Sequence, residues 1–543
     1  AVAQDKGIAL GNVVITAKDR PSEWQDIIAS DASENQLRLI VDGVEVAFAK
    51  NRIYMENNLD IMIPTYIFRN SFKCAFNTVS DDGIELQKGN TVVSIDSYDT
   101  FIDVNGKKVF LENAMKKDDD GYYINAHVLE EGFGYTYKWD SVENTLNLVD
   151  TKKDESILPS RYSYYDVGRL GKIKDQGIYG TCWAFASLTA VETSLMPEEK
   201  YDFSEDNMVW NSGYFGAQYD GGDYTRAISY LASWRGPVLE EDDVYGDGIN
   251  NPDAGVVKHV QEAQIIESKN LEAVKKAVFL YGGVESSLYT SMSYAGERSM
   301  YYNDKNYSYC YIGTKKPNHD VVIIGWDDNY SKDNFSVSLE GNGAFICVNS
   351  WGDSFGDDGL FYVSYYDSNI GIHNVVYTRV EDNDNYDNIY QSDLCGWVGQ
   401  LGYECDTAYF SNVYTAKSDE ELKAVGFYAT GKDTSYEIYY VDNFEGTESF
   451  CNKVYLQSGK FTNEGYYTVD LNKAVNMAEG KKYAIITPGA VHPIAIEYKA
   501  GRSTKNVVID DGEGYISLIG KSWEHVEESK ECNICLKMYT NNR

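Results

Sequence analysis

Two polar, aperiodic stretches decide how this chain can fold. Asp150-Thr151-Lys152-Lys153-Asp154-Glu155-Ser156 and Glu381-Asp382-Asn383-Asp384-Asn385 carry neither helical nor strand periodicity and read as linkers. At 543 residues no single hydrophobic core spans the chain, so separate blocks are expected. They are a lead-in over 1–36, a module over 37–150, a linker over 151–157, a block over 158–380, a second linker over 381–390 and a last block over 391–543. No window holds the roughly 18 uninterrupted apolar residues of a bilayer-spanning helix. Ala1-Val2-Ala3-Gln4 has no basic start and no apolar stretch, so any export signal is expected to have been removed already or never included.

Charge narrows the choice of partners. With 84 acidic residues against 48 basic ones, the net charge of −36 repels phosphate backbones and attracts cations, which argues against nucleic acid. Cys532 and Cys535 form the one CxxC pair, and no second pair exists to complete a four-thiolate zinc site. Cys347 lies in the apolar run Phe345-Ile346-Cys347-Val348, where a buried free thiol is the default.

The 37–150 module contains a divergent repeat. Val41-Asp42-Gly43 overlies Val104-Asn105-Gly106 at an offset of 63, and Asp60-Ile61-Met62-Ile63-Pro64 overlies Gly121-Tyr122-Tyr123-Ile124-Asn125. Each copy predicts a hairpin, a short helix and closing strands. The pattern resembles the small domain first named at the N-terminus of copper amine oxidases. No chemistry is carried over from it: the region has one histidine, His127, and no cluster of metal ligands. A structural or docking role is expected.

In the middle block, Gln176-Gly177-Ile178-Tyr179-Gly180-Thr181 leads into Cys182-Trp183-Ala184-Phe185-Ala186, where apolar residues begin to recur at helical spacing. Cys182 would then sit at a helix N-terminus, whose unpaired N–H groups and positive dipole end favour a thiolate. Gln176 can donate an N–H to an oxyanion. His319 opens an apolar strand 137 residues after Cys182, and Cys347-Val348-Asn349-Ser350-Trp351-Gly352 follows. Together these segments resemble the signatures of the papain family of cysteine peptidases. The resemblance implies Cys182 as nucleophile, His319 as its acid and base, Asn349 as the residue orienting the imidazole, Gln176 in the oxyanion hole, and Trp351 shielding the bond between His319 and Asn349. It also implies that Gly221-Gly222-Asp223 binds extended substrate as an added strand, with the Asp223 carboxylate on the pocket rim favouring basic or polar side chains.

The fold class expected is α+β: a papain-like, two-lobed catalytic domain between the duplicated β-rich module and a C-terminal β-sandwich read from short strands such as Ala424-Val425-Gly426-Phe427-Tyr428. Three features depart from the family. Tyr179 stands where a half-cystine is usual. Asp327 to Asn334 lengthens the stretch between His319 and Asn349 to 30 residues, and the β-rich module takes the place of a helical inhibitory segment. With the run Thr407-Ala408-Tyr409-Phe410-Ser411-Asn412-Val413-Tyr414 in the tail, they make the chain similar to a bacterial branch that includes clostridial cell-surface cysteine peptidases with a lectin-like domain. An extracellular or cell-surface endopeptidase acting on proteins or peptides is therefore expected, with the C-terminal block offering cell-wall or glycan contact. The competing reading is a catalytically idle surface adhesin on the same scaffold. No metal site and no required cofactor are expected. Asp382-Asn383-Asp384-Asn385 and the run Asp242-Asp243 to Asp247 offer oxygen ligands for structural calcium, but neither fits the EF-hand template.

Overall fold

The computed structural model describes residues 36–543 apart from 49–50, 58–59, 120, 404–407, 489–492 and 511. Except for Gln36, the lead-in lies outside the described residues, as do Cys405 and Thr407. The repeat is written into the backbone of the module. Strand Arg38–Val41 turns at Asp42 and Gly43, and strand Phe101–Val104 turns at Asn105 and Gly106. The φ values are 49° and 83° in the first turn and 50° and 83° in the second. Positive φ at both positions defines the two-residue hairpin turn that Asp-Gly and Asn-Gly adopt with least strain. Hairpin Tyr54–Glu56 with Asp60–Pro64 leads into helix Thr65–Asn70, and hairpin Met115–Asp118 with Gly121–Asn125 into helix His127–Phe133. The two hairpins join in one sheet through Ile124 opposite Ile63. Ile61, Phe68, Val128 and Phe133 of the two copies share one core.

Helix Cys182–Leu195 lies at the centre of the middle block and is buried on nearly every side, as its all-round apolar sequence requires. Helices Glu205–Asn211 and Tyr224–Ala232 pack beside it, each capped by the side chain before it, Ser204 and Asp223. Across the helix lies a sheet whose strand His319–Asp327 pairs with Val284–Leu288 on one side and Ala344–Val348 on the other. The lengthened stretch from Asp327 to Asn334 forms a turn that ends in the short 3₁₀ helix Lys332–Asn334.

The second linker is less of a break than its polarity suggests. Strand Asn374–Asp382 runs into it and Asn388–Tyr390 leaves it as a strand. Strand Lys258–Ile265 pairs with Asn374–Asp382 on one edge and with Glu464–Met477 of the last block on the other, so a single sheet crosses from one block to the next. In the last block this sheet faces a second one, containing Thr434–Val441 and Tyr409–Thr415, across a core of Phe410, Phe427, Ile438 and Val469. The acidic loops use their polar groups internally. Asp382 pairs with Lys258, Asn385 bonds His259 at 2.7 Å, and Asp243 accepts from Asn207 at 2.8 Å. Among the described residues no three His, Cys, Asp or Glu side chains gather as a metal site. Nor is any helix there long and apolar enough to cross a membrane. The eight described cysteines are all free thiols, Cys347 buried among them.

The module docks on the middle block at a defined place. Tyr162 donates to Asn77 at 3.3 Å, Tyr281 donates to Asn70 at 3.4 Å, and Arg69 faces Glu198 at 3.7 Å. Ala75 enters the core of the middle block. Glu198 lies just beyond the C-terminal end of the helix begun by Cys182, roughly 20 Å away at 1.5 Å per residue.

Candidate active site

Cys182 is the first residue of its helix and is half-buried. The approach to it is held from below. Lys174 Nζ lies 2.7 Å from carboxylates of both Glu192 and Glu205 and 3.0 Å from Asp202, so one buried ammonium ties the incoming segment to two helices. Gln176 follows. Its backbone N–H donates to Ser350 O at 2.8 Å, its side-chain oxygen accepts from Ser350 Oγ at 2.7 Å, and its Nε2 donates to Tyr179 O at 2.8 Å. The second N–H on Nε2 remains for a ligand. Tyr179, at the half-cystine position, packs edge-on against Tyr219 and Tyr245, with ring centroids 5.0 and 6.1 Å away.

The register Val322 opposite Val348, carried to the strand ends, brings His319 beside Asn349 and Trp351. Asn349 Oδ1 accepts the Ser350 backbone N–H at 2.8 Å and lies 2.7 Å from His319 Nε2. An oxygen already accepting from an amide calls for an N–H on the ring, so His319 carries its proton on Nε2 and keeps Nδ1 as an acceptor. The Trp351 ring stacks on the imidazole at 4.8 Å and screens that bond from water.

Cys182 and His319 line one cavity of about 160 Å³, with Gly221, Gly222, Asp223 and Asp320 on its walls. Gly221 has φ of 70°, and a Cβ on Gly222 would come within 2.4 Å of the Trp183 ring. These glycines therefore do more than make an ordinary turn. The Asp223 carboxylate caps helix Tyr224–Ala232, accepting from Thr225 N at 3.0 Å, so its rim position is partly occupied by that bond. Burial pushes the Cys182 thiol up to about 12, helped by the Asp320 carboxylate, while backbone N–H groups of Asp320 and Trp183 oppose the rise. Burial likewise pulls His319 down to about 4 against the Asn349 bond. The helix N-terminus expected to favour a thiolate is thus outweighed by desolvation when each group is considered alone.

Sequence reasoning missed Lys174, Ser350, Tyr245 and Asp320. Lys174 and Ser350 lie next to the motif residues, but their roles depend on partners distant in the chain. Tyr245, donating to Gln176 O at 2.9 Å, carried no local signal at all.

Comparison with known proteins assigns the three blocks to families. Residues 158–380 match the papain family cysteine protease model, residues 389–540 the lectin like domain and residues 40–148 the copper amine oxidase N-terminal domain. The chain therefore carries a cysteine-type peptidase of the papain family, flanked by these two domains. A clostridial cysteine protease, Cwp84 after propeptide cleavage, superposes with a TM-score of 0.63 at 28% identity, covering 70% of this chain and 99% of that one. The protease and lectin-like domains of Cwp84, a surface layer associated protein of Clostridium difficile, give 0.61 at 27% identity over 71% of this chain and 89% of that one. A cysteine protease of Blomia tropicalis is 26% identical over 280 residues, 47% of this chain and 78% of its own length.

Proposed function

We propose that this chain is an extracellular, surface-associated endopeptidase in which the Cys182 thiolate attacks a substrate carbonyl. The cavity shared by Cys182 and His319, with the imidazole fixed by Asn349 and covered by Trp351, carries this reading. Passing one proton from the thiol to His319 Nδ1 converts a neutral pair into an ion pair of zero net charge, which a half-enclosed groove tolerates better than either charge alone. The thiolate then forms an acyl-enzyme, and His319 returns its proton to the leaving amine and activates water for the second half. Gln176 offers its second Nε2 hydrogen, with the backbone at the helix N-terminus, to the oxyanion. Gly221 and Gly222 accept substrate as an added strand. The likeness to a surface layer associated protein supports the location, and the lectin-like domain supports contact with carbohydrate of the cell envelope.

The test is thiol-dependent hydrolysis of an unfolded protein by the full chain and by Cys182→Ala. Loss of hydrolysis with an unchanged melting curve is expected. Hydrolysis that persists in the variant shows another nucleophile, and absence of hydrolysis in both shows a binding protein.

A further inference from the structure

The groove holds more negative charge than peptide hydrolysis requires. Three aspartates, Asp220, Asp223 and Asp320, line the cavity beside Cys182 and His319, with no lysine or arginine among its lining residues. Two of them have local partners. Asp220 accepts the Ala217 N–H at 2.8 Å and faces Arg502 at 3.8 Å, and Asp223 caps its helix. Asp320 differs. It is half-buried and accepts from Ser287 Oγ at 2.6 Å, and no cation among the described residues pairs with it. Burial raises its carboxyl to about 6, with the Ser287 bond opposing the rise and the Asp223 charge adding to it. Its charge also reaches the Cys182 sulfur and opposes the thiolate there. Tyr224, Pro317, Gly221 and Gly222 add surface suited to methylene groups, beside Asn318 and the His373 ring, which burial holds below the usual imidazole value and so toward its neutral form.

We propose that Asp320 is a specificity-determining residue, receiving the ammonium or guanidinium of a substrate lysine or arginine in the cavity next to the scissile bond. This rests on the reading of Cys182 as the nucleophile. A bound cation makes a charge-assisted hydrogen bond to the carboxylate in a partly desolvated site. It also cancels the field that opposes the thiolate, so the same contact favours both binding and attack. A neutral side chain of equal length fills the walls but leaves a desolvated carboxylate without a cation, and an acidic side chain adds like charge. The −36 net charge of the chain draws basic segments toward the groove over longer range.

The experiment compares fluorogenic peptides identical except at one position, which carries lysine, acetyl-lysine, norleucine or glutamate and is moved across the residues before the scissile bond. The full chain should show a kcat/KM for lysine roughly 10- to 100-fold above norleucine at one position, the scale of one hydrogen bond to a charged group. Acetyl-lysine should behave like norleucine. Asp320→Asn keeps the Ser287 bond and should bring the lysine-to-norleucine ratio to within about threefold of one, a change that a purely structural role would not produce. A ratio near one in the native chain at every position overturns the proposal, as does an unchanged ratio in Asp320→Asn; a ratio that collapses in Asp223→Asn instead moves the role to Asp223 and overturns it too. Should Asp320→Asn fail to fold, Asp223→Asn decides: a lysine-to-norleucine ratio that survives in it supports Asp320, and one that collapses overturns the proposal. Cleavage of the norleucine peptide, abolished by alkylation of Cys182, reports separately on the peptidase reading. If no peptide is cleaved, that reading fails, and the Kd of Cys182→Ala for the lysine and norleucine peptides still tests Asp320: equal affinities overturn its role.

Discussion

The His319 ring is positioned by a single oxygen. Because Asn349 Oδ1 already accepts from the Ser350 N–H, the amide presents its oxygen to the ring and selects the tautomer with Nδ1 free. Removing Asn349 disturbs this orientation and leaves the base in place. Asn349→Ala should therefore lower kcat by about 10- to 10²-fold and His319→Ala by 10³-fold or more, measured on one peptide under saturation. The reverse ranking would contradict both roles. Gln176→Ala should lower kcat by roughly 10² with KM little changed, the scale of one oxyanion donor. Asp320 acts on the sulfur through its charge. Asp320→Asn removes an anion beside the thiol, so the thiol pKa must fall and alkylation of Cys182 at pH 7 should speed up several-fold in the free enzyme, a rate that iodoacetamide titration reads directly. Slower alkylation would show that the carboxylate is not where its influence is felt.

Elements, not single side chains, set the shape of the groove. The wall carrying Gly221 and Gly222 lies against Trp183, the second residue of the helix begun by Cys182. Gly222→Ala pushes a methyl into that ring, which is buried and has no room to move. A loss of about 1–3 kcal/mol in stability together with a higher KM is expected from denaturation and steady-state kinetics. The other face of the wall belongs to the C-terminal domain. Phe215 N–H donates to Ser503 O at 2.7 Å, and Lys505 Nζ sits 3.3 Å from the centre of the Phe215 ring. Arg502 lies over the same ring at 5.3 Å and also faces Asp220. Replacing Arg502 and Lys505 together by alanine should raise KM a few-fold and leave kcat in place, because the wall loosens while His319, Asn349 and Trp351 keep their packing. A drop in kcat alone would place the effect in the chemistry instead.

Across the whole molecule the two flanking domains behave differently. The N-terminal module docks near Glu198, at the far end of the central helix from Cys182, and residues 151–156 between them are exposed. A chain beginning at Leu158 should hydrolyse a small peptide within about twofold of the full chain yet melt lower, since Tyr162 and Tyr281 lose their cover. Faster hydrolysis by the shorter chain would mean that the removed part obstructs the groove. The C-terminal domain is not removable in the same sense. A chain ending at Val380 would turn strand Lys258–Ile265 into a bare edge and strip Arg379 of Asp470, 2.9 Å away, so aggregation is expected in place of folding. That junction also contains a titrating group. Glu464, opposite Ile265, has its carboxyl raised by burial from 4.5 to about 7. Its neutral form is favoured by folding, so its contribution is fully present below about pH 4.5 and lost as pH rises through 7. Glu464→Gln should flatten the fall in melting temperature between about pH 4.5 and 7. An unchanged slope would remove Glu464 as its source.

The order of chemistry was legible in the chain itself. Cys182 before an apolar run, His319 opening an apolar strand and Asn349 just after another are local patterns readable without reference to distant residues, and their roles are what the resemblance to the papain family implies. The duplicated module was legible for the same reason, because Asp42-Gly43 and Asn105-Gly106 specify one turn conformation through their own φ preferences. What tertiary structure alone decided is which groups face one another. Lys174 finds Glu192, Glu205 and Asp202; the Asp320 charge reaches Cys182 while Asp223 caps a helix; and the polar stretch after Val380 is entered and left by strands of one continuous sheet. Such pairings depend on strand register and helix packing across long separations, where a carboxylate or an ammonium carries no mark of its partner. Local sequence thus selects the elements and the reacting atoms, whereas the environment that sets their charge and the walls that choose a substrate arise from long-range burial.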